Sequence, residues 1–134
     1  MRHTIAPAAL TLLLAACGGG AQFGTVELGD LVVQGEVEPD YLYLQLNQLD
    51  PTFEACYVRA LRGNRSAEGV IGIRLKGGGG HLVPTIDSNN TGSEDLAHCV
   101  QGAITQLPIL EPEGHAAWDF VGEWSVRFEI IRPE

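Results

Sequence analysis

The chain has 134 residues, of which 17 are acidic and eight are basic, so its formal net charge is −9. Because binding to a nucleic-acid backbone requires clustered positive charge, this balance argues against nucleic acid as a partner. The length suits one domain, and no apolar segment approaches the about 20 residues that a membrane-spanning helix needs.

The first 16 residues have the pattern of an export signal. Arg2 provides a positive start, residues 5–16 are apolar, and Leu14-Ala15-Ala16-Cys17 ends the segment. This ending resembles the bacterial lipoprotein signal, in which the cysteine is lipidated and becomes the new N-terminus. The alternative is an ordinary secretory signal that is cut near a cysteine.

We therefore predict a lipoprotein signal peptide at 1–16, lipidated Cys17 with a flexible glycine-rich tether at 17–24, and a single domain at 25–134. Cleavage leaves seven basic and 17 acidic residues, a net charge of −10. Attachment to a membrane is then expected to come from the acyl chains. The residue after the lipidated cysteine is Gly18 and not an aspartate. This favours the outer membrane, as it does in many bacterial lipoproteins.

Residues 25–33 predict one short strand or a bent hairpin, and residues 39–62 have the periodicity of an amphipathic helix. The apolar face of that helix consists of Leu42, Leu46, Leu49, Phe53, Cys56 and Ala60. Pro51 removes one helical hydrogen bond, so the unbroken stripe favours a single kinked helix. A second helix with Asp50 as its N-cap is the alternative.

Two alternating segments, 70–76 and 81–87, predict strands joined by the glycine turn 77–80. No Lys-Ser or Lys-Thr follows these glycines, which argues against a phosphate-binding loop. Segment 118–131 alternates again, and Gly122 in its apolar register predicts a bulge or break.

A second helix is predicted between these strands. Its cap comes from Ser93 alone or from Thr91 with Glu94, and it extends to about Leu107. Taken together, the elements predict an α+β fold: a two-layer sandwich in which two helices cover one face of an antiparallel sheet.

Two groups of residues resemble a known family, the C-terminal module of AgmX/PglI-type bacterial gliding-motility proteins, across about residues 33–131. The first group is Phe53, Cys56-Tyr57, Ala60-Leu61, Asn64 and the Gly69-Val70 strand; the second is Cys99-Val100, Leu107-Pro108 and Pro112-Glu113-Gly114. The resemblance implies a TonB C-terminal-like fold and an envelope-facing protein-interaction domain without known catalysis. The chain departs from the family at Asn64-Arg65, where Asn-Pro is usual, and at Leu107-Pro108, where an aromatic residue before the proline is usual. Segment 115–120 resembles an insertion.

TonB-type domains bind by adding a partner's strand to an exposed sheet edge. The candidate edges in this sequence are segments 81–87 and 118–131. Five of the seven basic residues that remain after cleavage lie between 59 and 76. Arg59, Arg62, Arg74 and Lys76 are therefore candidate partner-binding residues; local compensation of the acidic surface is the alternative.

Cys56 and Cys99 are expected to form a disulfide, because both lie on apolar helix faces that cover the same side of the sheet in an exported protein. Two buried free thiols are the alternative. His98 beside Cys99 resembles part of a zinc site. However, His98 does not lie on the apolar face of its helix, so we expect it to be exposed. The sequence contains no recognisable catalytic signature, and we predict no enzyme activity, cofactor or metal.

The expected function is a non-catalytic, lipid-anchored interaction or scaffold module of the cell envelope, facing the periplasm, with an envelope protein as its partner. A link to machinery of the gliding-motility or TonB-like type follows from the resemblance alone. The alternatives are a periplasmic lipoprotein that binds peptidoglycan or a small ligand, and a thiol enzyme.

If Cys17 is lipidated, protein expressed with its leader should partition into the detergent phase and carry a mass increment at its N-terminus. Cys17→Ala should yield soluble or uncleaved protein. An unmodified chain that begins elsewhere would contradict the lipoprotein prediction.

Overall fold

A computed structural model describes residues 23–35, 37–79, 81–109 and 119–132. The predicted signal peptide, Cys17, most of the tether, Trp118 and the turn at 112–114 lie outside the described residues. The elements, in chain order, are β1 (Gly24–Leu28), β2 (Val32–Gly35), α1 (Pro39–Leu46), α2 (Asp50–Gly63), β3 (Gly69–Gly78), β4 (His81–Asn89), α3 (Glu94–Gln106) and β5 (Phe120–Ile130).

Strand β5 lies in the middle of a five-stranded antiparallel sheet. It pairs with β3 on one side and with both β1 and β2 on the other, and β4 pairs with the outer side of β3. The prediction that segment 118–131 is a candidate edge is therefore wrong. Alternation of apolar and polar residues defines the faces of a strand, but it does not define the neighbours of that strand.

One face of the sheet carries the core. Buried side chains on β5 alternate with exposed ones, and Phe53 and Tyr57 of α2 pack against two of them: the ring centroids of Phe53 and Trp124 are 5.9 Å apart, and those of Tyr57 and Phe128 are 5.1 Å apart. Leu96, Val100 and Ile104 of α3 are buried in the same cluster. The predicted α+β sandwich, with its helices on one face of an antiparallel sheet, is confirmed.

The predicted kinked helix consists of two α-helices joined by a 3-10 turn at Asn47–Leu49. Leu49 and Asp50 keep right-handed helical dihedral angles through the junction, so the apolar stripe retains its phase. Pro51 has no N–H for the carbonyl of Asn47, and the regular helix is interrupted there. Asp50 is the first residue of α2 and makes no side-chain cap, so neither sequence interpretation is right in full.

Residues 25–33 do not form a hairpin. Both β1 and β2 pair with β5, and the register shifts by one residue between Leu28↔Val126 and Val32↔Glu123. At this bend the Gly29 N–H donates to the Ser125 carbonyl at 2.8 Å, and the Trp124 indole N–H donates to the Gly29 carbonyl at 3.0 Å. The core tryptophan thus holds the bent edge to the central strand.

The bulge expected at Gly122 is absent from the described strand, since Gly122 pairs in register with Val33 and with Leu75. A Cβ added at Gly122 would make only ordinary van der Waals contacts with Leu31 and Leu75, so packing does not require a glycine at this position. The irregularity instead lies at Gly72/Ile73, where the pairing of β3 with β4 shifts register. Of the two predicted caps, Ser93 is the one observed: its hydroxyl accepts from the Leu96 N–H at 3.1 Å.

Cys56 of α2 and Cys99 of α3 form the predicted disulfide, with Cα atoms 5.8 Å apart and a sequence separation of 43 residues. The bridge adds a covalent link to two helices that already pack against each other and against the sheet. We expect it to limit the conformational freedom of the unfolded chain more than that of the fold.

Reduction of this bridge should lower the free energy of unfolding by about 4 kcal/mol in the chain-entropy model. Denaturant titration with and without a reducing agent measures the difference. The double variant Cys56→Ala/Cys99→Ala is the control, and its stability should not respond to the reducing agent. Two reactive thiols in unreduced protein unfolded after export would contradict the bridge.

Candidate functional site

The four candidate basic residues lie on opposite sides of the domain. Arg59 and Arg62 are exposed on α2, in the helical layer. Arg74 and Lys76 alternate with buried residues of β3 and therefore project from the bare face of the sheet. The structure does not bring the four together, and Arg74 already lies 3.4 Å from Asp87 and 4.0 Å from Glu123.

The bare face of the sheet carries exposed apolar side chains at one end. Val32 on β2, Val121 on β5 and Val83 on β4 are 60, 44 and 59 % exposed, and Lys76 is the cross-strand neighbour of the last two. A shallow cleft of about 380 Å³ lies beside Val32 and Val121 and includes Arg74 and Glu123. This surface combines apolar contact area with paired charges.

The outer edge of β4 is blocked at its centre. Gln101 of α3 donates from its side-chain amide to the Pro84 carbonyl at 2.9 Å, so the polar groups of Pro84 point away from β3. Proline has no N–H, and its one outward acceptor is occupied. An incoming strand would therefore find no donor and no free acceptor at this position.

The outer edge of β1 is different. The Ile131 N–H donates to the Phe23 carbonyl, and the Gly29 N–H donates to the Ser125 carbonyl, so odd-numbered residues of this segment face β5. Backbone groups alternate in direction along a strand, and those of Gly24, Val26 and Leu28 consequently point outward. Within the ranges that the structure describes, no strand pairs with this side.

A carboxylate clamp closes the end of the sheet where β1 begins and β5 ends. Glu68 accepts two hydrogen bonds from the Arg132 guanidinium, at 2.8 and 3.0 Å, and one from the Ile130 N–H at 2.9 Å. The bonds from Arg132, followed by the one from Ile130, lower the pKa of Glu68 to about 2. Burial is the main reason that the pKa of nearby Tyr57 is raised to about 12, and its hydroxyl donates to the Ala67 carbonyl at 2.7 Å.

The disulfide borders a cleft of about 410 Å³ between α2 and α3. Its lining includes Arg59, Asp95 and His98, and His98 is exposed as the sequence predicts. Among the described residues, no three histidine, cysteine or acidic side chains are close enough to share a metal ion. The cleft offers polar groups of both signs beside a sulfur bridge.

Two features of this surface escaped the sequence analysis. Segment 81–87 was predicted as a candidate edge, and β4 is an edge of the sheet. That the missing N–H of Pro84 blocks this edge was not predicted, although the proline was visible in the sequence. The bond from Gln101 to the Pro84 carbonyl had no sequence signal, because it depends on how α3 crosses the sheet.

No family model, curated protein or solved structure matches this chain. In the parts of the chain that the structure describes, no helix is long and apolar enough to cross a membrane. The fold and the surfaces described above are therefore the basis for any functional conclusion.

The Glu68 clamp should make stability depend on pH in acid. The folded-state pKa lies below its ordinary value of 4.5, so the stabilising contribution is present above about pH 4.5 and is lost as the pH falls towards about 2. Glu68→Gln should flatten the stability curve in that window, measured by denaturant unfolding. Glu54→Gln, an exposed carboxylate change on α2, is the control. Identical curves for Glu68→Gln and wild type would contradict the clamp.

Proposed function

We propose that this chain is a non-catalytic, lipid-anchored interaction module of the cell envelope that binds a partner protein by strand addition at the outer edge of β1. The partner contributes an extended segment that continues the sheet beyond β1. Main-chain hydrogen bonds supply affinity in this mode of recognition, and side-chain pockets supply specificity.

The observation that carries the proposal is the difference between the two edges. Strand β4 is blocked by Pro84 and Gln101, whereas Gly24, Val26 and Leu28 direct their backbone groups outward from β1. Unpaired edges promote association with other chains, and proteins commonly protect them. A sheet that protects one edge and, within the described ranges, leaves the other open is suited to a specific strand-adding partner.

Specificity is expected to come from the cleft beside the bend between β1 and β2. This cleft has a volume of about 360 Å³ and is lined by Asp30, Leu31, Pro39, Asp40 and Tyr43. Two carboxylates beside an aromatic ring favour a lysine or arginine side chain. The partner segment should therefore carry a basic residue next to its extended part.

The envelope location rests on the lipoprotein-like Leu14-Ala15-Ala16-Cys17 and on the disulfide between Cys56 and Cys99. Disulfides persist in oxidising compartments, which agrees with a domain that faces the periplasm. The outer membrane is the proposed site of the anchor. A role in machinery of the gliding-motility or TonB-like type is supported by the sequence resemblance alone.

The alternative function is a periplasmic lipoprotein that binds peptidoglycan or a small ligand. The cleft between α2 and α3 favours it, because Arg59, Asp95 and His98 converge there within about 410 Å³. Among the described residues, His98 is the only aromatic side chain in the lining of this cleft. We therefore place strand addition first.

Val26→Pro tests the edge directly, because the N–H of Val26 points outward and its loss leaves the pairing with β5 intact. A partner strand added to the variant would lose the hydrogen bond from the Val26 N–H. This loss should weaken binding by about 1–3 kcal/mol, or roughly 5- to 150-fold in affinity. The measurement is capture of envelope proteins from the native host by wild type and variant, identified by mass spectrometry and then quantified with the purified partner.

Val26→Ala is the matched control, since it shortens the side chain and keeps the N–H. Circular dichroism should confirm that both variants are folded. A protein captured by wild type and by Val26→Ala, but not by Val26→Pro, supports the proposal. Equal capture by all three rejects strand addition at β1, and retention of peptidoglycan without any protein would favour the alternative.

A further inference from the structure

The disulfide forms part of the wall of a cleft that opens to solvent. Cys56 and Cys99 both line the cleft of about 410 Å³ between α2 and α3, together with three exposed residues, Arg59, Asp95 and His98. A bridge enclosed in a core is protected until the protein unfolds. This bridge, in contrast, borders a space that a small thiol or a protein side chain can enter while the domain is folded.

The two bridged cysteines differ in exposure. Cys56 is 2 % exposed, whereas Cys99 is only partly buried. The rate of thiol–disulfide exchange depends on which sulfur is attacked and on access to that sulfur. An incoming thiolate should therefore attack Cys99, and Cys56 should be the leaving group.

The charges beside the bridge favour the same direction of attack. Arg59 follows Cys56 by three residues on α2, so the two side chains are neighbours on one face of the helix. Arg59 has no ion pair with any residue in the described ranges. A neighbouring cation stabilises a thiolate and makes it a better leaving group. Asp95 precedes Cys99 by four residues on α3 and disfavours a thiolate there.

Both helices are also held in place without the bridge. Phe53 and Tyr57 pack α2 on the rings of β5, and Leu96, Val100 and Ile104 of α3 are buried in the same core. Opening of the bridge leaves these contacts intact, so the reduced domain keeps its fold. Its stability falls because the unfolded chain gains conformational freedom.

We propose that the Cys56–Cys99 bridge is a thiol-exchange site, at which a dithiol oxidoreductase attacks Cys99 from the cleft and Cys56 leaves beside Arg59. The site lies in the helical layer, away from the β1 edge, and the inference rests neither on strand addition nor on the lipid anchor. Because the reduced chain is less stable, exchange at this site makes the folded fraction of the domain depend on the thiol donors of its compartment.

The reaction transfers two electrons in two steps. The first donor thiolate bonds to the Cys99 sulfur, and the electron pair of the Cys56–Cys99 bond goes to the Cys56 sulfur, which takes a proton from water. The second donor thiolate then attacks the donor sulfur of this mixed disulfide, and Cys99 leaves and is protonated. The donor becomes a disulfide and this chain a dithiol.

A donor with two thiols is needed because the fold keeps Cys56 beside Cys99, with Cα atoms 5.8 Å apart in the bridged form. Cys56 can therefore attack the mixed disulfide and expel a donor that has a single thiol, which restores the bridge. A dithiol donor competes with this return by closing its own disulfide.

The first test asks whether the bridge is attacked in the folded protein. The full chain is purified with its bridge intact, any free thiol is alkylated, and reduction by dithiothreitol is followed at denaturant concentrations below the unfolding transition. We expect a rate that is proportional to the dithiothreitol concentration and nearly independent of denaturant. A rate that saturates with dithiothreitol and rises with denaturant as global unfolding does would overturn the proposal, since the bridge would then be reached only in unfolded protein.

The attacked sulfur and the donor are tested with two further probes. Glutathione, a monothiol, should be trapped by acid on Cys99, with a free thiol at Cys56, when the adduct is mapped by mass spectrometry. Adducts on Cys56, or equally on both, would overturn the direction of attack. A thioredoxin-type oxidoreductase with its second reactive cysteine changed to serine should form the same adduct. If it reacts with the unfolded chain but not with the folded one, the protein donor is rejected.

Arg59→Gln should slow reduction of the folded protein several-fold, because the departing Cys56 sulfur loses its neighbouring cation. Arg65→Gln is the matched control: it removes the same charge from an exposed arginine that lies outside this cleft. Denaturant unfolding should show that both variants are as stable as wild type. Equal rates for the two variants would contradict the role of Arg59.

Discussion

The position of β5 between two other sets of strands is the constraint on which the domain depends. Its inward side chains Trp124 and Phe128 form the floor on which Phe53 and Tyr57 of α2 pack. Its backbone pairs β3 on one side and the bent β1–β2 edge on the other. Because β5 is the last of the described strands along the chain, neither side of the sheet is complete until it is in place.

The sheet has two edges of different chemistry. At Pro84 the outer edge of β4 has no N–H to donate, and the Pro84 carbonyl already accepts a hydrogen bond from Gln101. The β1–β2 edge is bent at Gly29, and the bend is held by the backbone and the indole of β5. Among the described residues no strand pairs with the outer side of β1. An edge that ends at a bend presents only a short run of outward backbone groups, a geometry that favours selectivity over general association.

Much of the fold could be predicted from periodicity alone. The stripe from Leu42 to Ala60, the alternation around Ile73 and Leu75, and the disulfide between the two helices all follow from which residues must be buried. Strand order could not be predicted, because alternation separates the faces of a strand and carries no information about its neighbours. The course of the backbone near Pro51 could not be predicted either, because it depends on local hydrogen bonds. The apolar stripe of the helix carries no information about those bonds.

The candidate site was less predictable than the fold. Arg59 and Arg62 are close to Arg74 and Lys76 in sequence, but a helix above the sheet and a strand within it direct them to opposite sides. The alternation of Arg74 with buried Ile73 already contained that information. The pairing of Phe23 with Ile131 did not, since it joins residues from the two ends of the domain.

That pairing has a mechanical consequence. Strand β1 begins beside the end of β5 and runs antiparallel to it, with five residues in register from Gly24↔Ile130 to Leu28↔Val126. Interstrand hydrogen bonds are perpendicular to the strands, so tension applied through the chain before Phe23 acts along β1 and loads these bonds together in shear. Detachment of β1 then requires them to break at once, and the domain should resist pulling from its N-terminal side far better than peeling from its open edge.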